Sequence, residues 1–529
     1  MSLWRKVAVA SVAMVAACAR MPEDAPAQVS ELRPAGCAAQ GPTGAPSGNH
    51  DAVAALLGAS PECPANVLEF RARLEREPAT LATAFVDNRG FHNGAAGSFS
   101  LFESVTGVVA GVTVAPGDFF FGHFTEKRGT ELVLEQTPED KALLIELIAW
   151  DPAKGLFNFY ELRGDGTRGQ WFYRGDSADI LRDIARLHRQ DDPAHPVFGQ
   201  RLRCSGCHLG GGPIMKELDA PHNDWWTSAR PLPLAGLTPE PSLSRILGQG
   251  LGDAEGLAAR VRQGSARLES SVAFRAARRA RTRQERLRPL FCPEEMNLAS
   301  DATSNEARAA QVKPPSAFFV DPRLASRELA VPRAAYDAAL RALKSAFPES
   351  GQPDGDHPWL APVKAAADAA AVDALVREHV VDEEFVADVL AVDVGNPALS
   401  PARCALLRLV PEDAQGGDAA FVRALAASKE PAAHELHANL TEPARDAAWH
   451  RAQAAAMLEA CARRLQSGDV TPYVELLAQR RAEVFANEIS KNPRGQILEP
   501  GFRVIFPDVT PDPRPGARVL TRECTVVRR

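Results

Sequence analysis

Beyond its first 17 residues this 529-residue chain has no apolar run approaching the roughly 18 residues that a membrane-spanning helix needs. An excess of basic charge is missing too. The 67 acidic residues outnumber the 60 basic ones, and a net charge of −7 leaves no basic surface for a general nucleic-acid binder. Lysine is scarce, 10 against 50 arginines, and the abundance of Ala and Pro marks this as genomic bias rather than function. Acidic residues form no pair that reads as an acid/base site, and no internal repeat is visible. What is present is ordinary for a folded protein: 45% hydrophobic and 24% charged residues exclude bulk disorder. At about 100–200 residues per domain, the length implies roughly three to four structural units. The informative count is nine cysteines, an odd number whose members have to be assigned one by one.

The first cysteine belongs to the N-terminus. The chain opens Met1-Ser2-Leu3-Trp4-Arg5-Lys6 and runs apolar from Val7 to Ala17. A short basic start before such a run matches a secretory signal and is too short to remain as a membrane span. Val15-Ala16-Ala17-Cys18 resembles the lipobox of bacterial lipoproteins, in which the cysteine is lipidated and becomes the mature N-terminus. Ordinary signal cleavage near Cys18 is the alternative. Either way the sequence predicts an exported chain, periplasmic or anchored through lipidated Cys18, in a compartment where disulfides persist.

Residues 19–64 are rich in Ala, Pro and Gly and read as a tether with local order near Cys37 and Cys63. A short helix is predicted at 66–76. Over 65–176, apolar or aromatic runs at 98–102, 108–114, 119–121, 131–134, 142–150 and 157–160 alternate with Gly, Pro and Asp clusters and read mostly as strands. The 142–150 run fits a helix equally well. From Ser177, a plausible N-cap, the period becomes helical. The arginine-dense stretch at 275–288 reads as a solvated helix face. The expected fold class is therefore α+β: a β-containing region over 65–176, a mainly helical region over 177–310 and a helical C-terminal region over 311–529.

The chemistry sits at Arg203-Cys204-Ser205-Gly206-Cys207-His208, which contains Cys-x-x-Cys-His, the attachment pattern of c-type haem. Two thiols three residues apart on a short helical turn project to one side, where each can add to a haem vinyl group. The adjacent histidine then offers a neutral imidazole nitrogen to iron. With nine Cys and 12 His placed at random, chance matches number on the order of 0.003. Structural zinc would need two further ligands at paired spacing, and no second Cys-x-x-Cys or His-x-x-x-His follows. A thioredoxin-like dithiol would need a βαβ setting that the flanks do not supply. A plain Cys204–Cys207 disulfide leaves His208 unexplained.

The segment around 200–230 resembles the haem-binding segment of cytochromes c. His208 is followed by Leu209-Gly210-Gly211-Gly212-Pro213, and in that family a Gly-Pro shortly after the motif orients the proximal histidine through the proline carbonyl. The resemblance implies one covalent haem c held by Cys204 and Cys207, with His208 as iron ligand and Pro213 as its hydrogen-bond acceptor. It covers about 100 residues. In the same family the sixth ligand is a methionine downstream, which makes Met296 the preferred candidate. His222 comes next, and five-coordination or a ligand from the N-terminal region stays open. Met215, only seven residues past His208, falls on the wrong face if Pro213 sits beside the histidine. Trp225 and Trp226 either line the haem pocket or pack between helices, while His92 and His123 fit a turn or strand edge. The resulting expectation is an exported mono-haem electron carrier with a redox partner protein and no nucleic acid, touching the membrane only through its lipid anchor. A haem enzyme of peroxidase or oxygenase type, or a surface redox or gas sensor, is the alternative.

Six cysteines are left: Cys37, Cys63, Cys292, Cys404, Cys461 and Cys524. An even number in an oxidising compartment allows up to three disulfides in any of 15 pairings, of which Cys37–Cys63 is the most local choice.

Overall fold

The structure is a computed structural model that describes residues 37–41, 44–59, 62–87, 99–139, 142–187, 204, 208–213, 225–228, 231–232, 234, 236–300, 309–343, 358–412, 417–486 and 516–528. The predicted signal at 1–18, with Cys18, lies outside these residues.

The fold is α+β. Its N-terminal half is built on one large sheet of β1 (Ala79–Asp87), β2 (Phe99–Val109), β3 (Val112–Val114), β4 (Phe119–Arg128), β5 (Glu131–Leu134), β6 (Leu143–Asp151), β7 (Leu156–Gly164) and β8 (Gly169–Asp176). The main path runs β1-β2-β4-β6-β7-β8, and every neighbouring pair along it is antiparallel. Side chains alternate between the two faces of a strand. In β4, Phe119 and Phe121 join one core and Phe120 joins the other. Both faces are covered, which is why the 142–150 run shows no period in the sequence: β6 buries Leu147 on one side and Ile148 on the other. That run is a strand.

On the first face lie α1 (Ala52–Gly58) and α2 (Val67–Leu74), contributing Val53, Leu56, Leu57, Val67, Phe70 and Leu74. Within the segment read as a tether, Cys37, Ala39 and α1 are packed in the core of this face. Asp51 caps α1 by accepting from the amides of Val53 and Ala54, and Cys37 is joined to Cys63. On the second face lie α3 (Ser177–Leu187), α5 (Ala254–Ser270) and α6 (Val272–Arg279); α4 (Pro241–Gly248) sends Leu243 and Ile246 to the first face. Ile180, Leu181, Leu257, Val261, Leu268 and Phe274 meet Phe157 and Phe159 of β7 there. The expected boundary between residues 176 and 177 therefore crosses one shared core.

The C-terminal half is helical around a core that includes Phe291, Phe318, Trp359, Leu406, Leu436 and Leu458. Its longest helix among the described residues spans Ala447–Gln466. Strand Met296–Ala299 pairs with Ala361–Lys364, and a hairpin of Arg518–Leu520 and Val526–Arg528 closes the described chain. Two further cysteine pairs lie at disulfide distance, Cys292 with Cys404 and Cys461 with Cys524. No helix among the described residues is long and apolar enough to cross a membrane.

Candidate functional site

Cys204 and His208 of the predicted haem-attachment segment lie on the second sheet face. The His208 amide donates to the Cys204 carbonyl at 2.9 Å, the i to i−4 separation of an α-helical turn. Residues four apart on such a turn share one side. The Gly211 amide then donates to the His208 carbonyl at 2.7 Å, and Gly211 adopts φ +70°, a left-handed conformation that favours glycine. This turn brings the Gly212 carbonyl to 2.8 Å from His208 Nδ1.

That contact fixes the histidine's chemistry. A carbonyl oxygen only accepts, so Nδ1 carries the proton, and in the neutral ring Nε2 keeps its lone pair. The acceptor differs from the one expected. It is the carbonyl of Gly212, one residue before Pro213, while the Pro213 carbonyl lies 3.4 Å from Ser265 Oγ instead. The positive φ at Gly211 accompanies the turn that brings the Gly212 carbonyl to the Nδ1 edge of the ring.

Close backbone packing holds the turn in place. A Cβ on Gly211 would lie 3.0 Å from the Ser177 carbonyl oxygen and 3.1 Å from Phe274 Cε2, and one on Gly212 would lie 2.9 Å from Leu268 Cδ2. Pro213 is buried, with its ring 3.0 Å from where a Cβ on Gly264 would stand. Gly264 is in turn pressed against Gly117, at the turn entering β4. The segment is thus wedged between α3, α5 and α6. Above it, the Phe159 ring meets the His208 ring edge-on, with centroids 5.0 Å apart, and Leu209 and Cys204 pack into the same cluster.

Trp225 joins this cluster and Trp226 does not. Trp225 bridges to Val86 at the β1 edge, is 1% exposed and packs on Phe102 with centroids 5.4 Å apart. Trp226 donates its amide to the Phe85 carbonyl and packs towards the other face. The indole N–H of Trp225 is buried with no acceptor among the described residues.

Met296 is placed elsewhere. It is fully buried in the strand Met296–Ala299, packed with Leu298, Leu360, Ala398 and Val484, and none of these belongs to the cluster around His208. The helices expected to wrap a haem and bring Met296 back are packed on the sheet instead. Cys207, Met215, His222 and His92 lie outside the described residues. His123 is buried on the opposite sheet face, where its Nε2 contacts Glu103 Oε1 at 3.0 Å. Among the described residues no three His, Cys, Asp or Glu side chains converge to hold a bare metal ion.

Sequence reasoning missed Phe159 and Gly212 as partners of His208. The aromatic run at 157–160 was legible as a strand, but nothing in it signals contact with a ring 49 positions later. The residues around His208 fit a haem. They supply one imidazole whose Nδ1 faces a backbone carbonyl, an apolar and aromatic wall, and glycines in close backbone packing. Comparison with family models, curated proteins and solved structures finds no match for this chain.

Proposed function

We propose that this protein is an exported mono-haem c-type cytochrome, anchored by lipid at Cys18, that passes electrons between partner proteins. Cys204 and Cys207 would hold the haem as thioethers and His208 would ligate its iron through Nε2. The haem, when bound, supplies a one-electron ferrous–ferric couple. The chain's own part is to fix the imidazole tautomer, set the ring orientation against Phe159 and keep water from that side of the ring. The observation that carries the reading is the hydrogen bond from His208 Nδ1 to the Gly212 carbonyl, because such a bond also makes the opposite nitrogen more basic as a metal ligand. Three cysteine pairs at disulfide distance support an oxidising compartment.

A second reading, a haem enzyme or gas sensor with an open sixth position, draws on the burial of Met296 in a different cluster. Absorption spectra of the purified holo-protein, recorded in both redox states with and without carbon monoxide, separate the two. An electron carrier gives a reduced spectrum that carbon monoxide leaves unchanged. Rapid carbon monoxide binding to the reduced form overturns the carrier and favours the second reading.

A further inference from the structure

The arginine-dense stretch at 275–288, which reads in the sequence as a solvated helix face, is not solvated throughout. Arg278, in the last turn of α6, is 8% exposed, and its guanidinium donates to two carboxylates. Nη1 reaches Glu269 of α5 at 2.7 Å. Nη2 reaches Glu378, the C-cap of the helix Ala366–Arg377 in the C-terminal half. Arg377 of that helix reaches back to Glu269 at 3.3 Å. The side chains of Arg278 and Glu378 are both about nine-tenths buried, so salt screens their pairing weakly.

This ion pair stands behind the His208 turn. The Arg278 guanidinium lies 5.5 Å from the centre of the Phe274 ring, and the same ring backs Gly211, where an added Cβ would fall 3.1 Å from Phe274 Cε2. Leu268, the chain neighbour of Glu269, backs Gly212 in the same way at 2.9 Å. At its other end the helix Ala366–Arg377 meets the glycine run itself, with Ala367 Cβ 3.8 Å from where a Cβ on Gly210 would stand. One helix of the C-terminal half thus touches the turn through Ala367 and is tied through Glu378 to the residues packed behind it.

A run of three glycines has little stiffness of its own, so the shape of the turn comes from what is packed on it. That shape places the Gly212 carbonyl, the acceptor of the His208 Nδ1 proton. We propose that the C-terminal half holds the His208 turn in shape, with Arg278 and Glu378 as positioning residues that keep Phe274 against Gly211. The inference rests on the reading of His208 as the iron ligand and adds to it what sets the strength of its Nδ1 hydrogen bond. It also gives the helical half a part in the site.

The test uses the full-length chain as wild type, Glu378→Gln, Arg278→Met, Arg278→Lys and, as a control, Arg281→Met, whose ion-pair partner is Glu294. In the haem-free chain the nitrogen NMR signals of the His208 ring report its tautomer. In the haem-bound chain the midpoint potential reports the basicity of the ligand. Glu378→Gln and Arg278→Met are expected to turn the single Nδ1–H form into a mixture of tautomers and to raise the potential, because a weaker Nδ1 bond makes Nε2 less basic. Arg278→Lys is expected to stay close to wild type, and Arg281→Met to change neither readout. An unchanged tautomer and potential in Glu378→Gln, with only a lower urea midpoint, overturn the inference and leave the ion pair a structural one. If Arg278→Met does not fold, Glu378→Gln decides, since it removes one charge and keeps the side chain's shape. If the haem-free chain does not fold, the potential decides. A wild-type chain that takes up no haem overturns the reading beneath, and the tautomer still decides this inference.

Discussion

Gly211 shows how much of the site rests on a single residue. Its φ of +70° is unfavourable for any L side chain, and a Cβ would press on Ser177 and Phe274 from two sides. Gly211→Ala should therefore destabilise the protein by about 1–3 kcal/mol. Gly210 is a control one position away. A Cβ there meets only Ala367 Cβ at 3.8 Å, so Gly210→Ala should stay within about 0.5 kcal/mol of wild type. Urea denaturation of both variants checks the pair, and equal midpoints would contradict the described turn. The Gly-Gly-Gly-Pro run was visible in the sequence, as was the histidine it serves. Which carbonyl the ring uses was not, because that depends on where the chain turns, and any of three adjacent glycines can take a positive φ.

The sheet is the element that organises the N-terminal half, and it was only partly legible. β2, β4, β5 and β7 announce themselves through aromatic or branched residues between turn signals. β1 does not: Ala79–Asp87 is mostly small residues, and it becomes a strand by pairing along nine positions with β2. α1 was hidden for a related reason, since its seven residues sit in an Ala- and Pro-rich stretch and its one local signal is the Asp51 cap. Sequence periodicity also gave no hint of the charged group buried between sheet and α2. There Arg71 and His123 both contact Glu103, which also accepts from Thr83 Oγ1 at 2.7 Å. Burial pushes the Glu103 carboxyl up, but hydrogen bonding from His123 and the charge of Arg71 outweigh it and hold the group below its ordinary 4.5. Burial holds His123 below its ordinary 6.5, against the pull of Glu103. Both folded values lie below the unfolded ones, so the unfolded chain binds more protons in acid and stability falls with pH. The loss begins below about 6.5 for His123 and continues below 4.5 for Glu103. Glu135 works in the opposite sense. Burial and the neighbouring Glu126 push it up to about 7, so its contribution is lost as pH rises from 4.5 to about 7. Comparison with His123→Gln isolates the histidine: the stability difference between wild type and variant should shrink as pH falls below 6.5. Parallel stability curves across that range would contradict the buried neutral histidine.

On the scale of the whole molecule, covalent links tie together segments that are far apart in sequence. Cys37 and Cys63 are 26 positions apart and were the most local pairing available. Cys292–Cys404 and Cys461–Cys524 span 112 and 63 residues, and no spacing rule selects them from 15 pairings. They follow from the packing of helices Arg283–Phe291 and Pro401–Ala405, and of the C-terminal hairpin on the Thr471–Ala486 helix, where Tyr473 Oη donates to the Cys524 carbonyl. Replacing both Cys461 and Cys524 with Ser should lower stability by about 2–4 kcal/mol. Denaturation of that variant beside wild type under non-reducing conditions measures the loss, and coincident curves would contradict the link. The same scale explains why the Cys-x-x-Cys-His segment, the proposed haem site, was legible and its surroundings were not. Cys-x-x-Cys-His is local chemistry, whereas the cluster around His208 draws on strands as distant in sequence as Phe159 of β7 and Ala84 of β1. The central claim is that this segment holds one haem covalently. Its most direct test is the intact mass and visible spectrum of the chain exported alongside a c-type haem maturation system, beside a Cys204→Ser/Cys207→Ser variant. Wild type should gain the mass of one haem and keep its haem absorption after denaturation, while the variant gains neither. A folded wild-type chain without that added mass, with Cys204 and Cys207 recovered as a disulfide, would contradict the account.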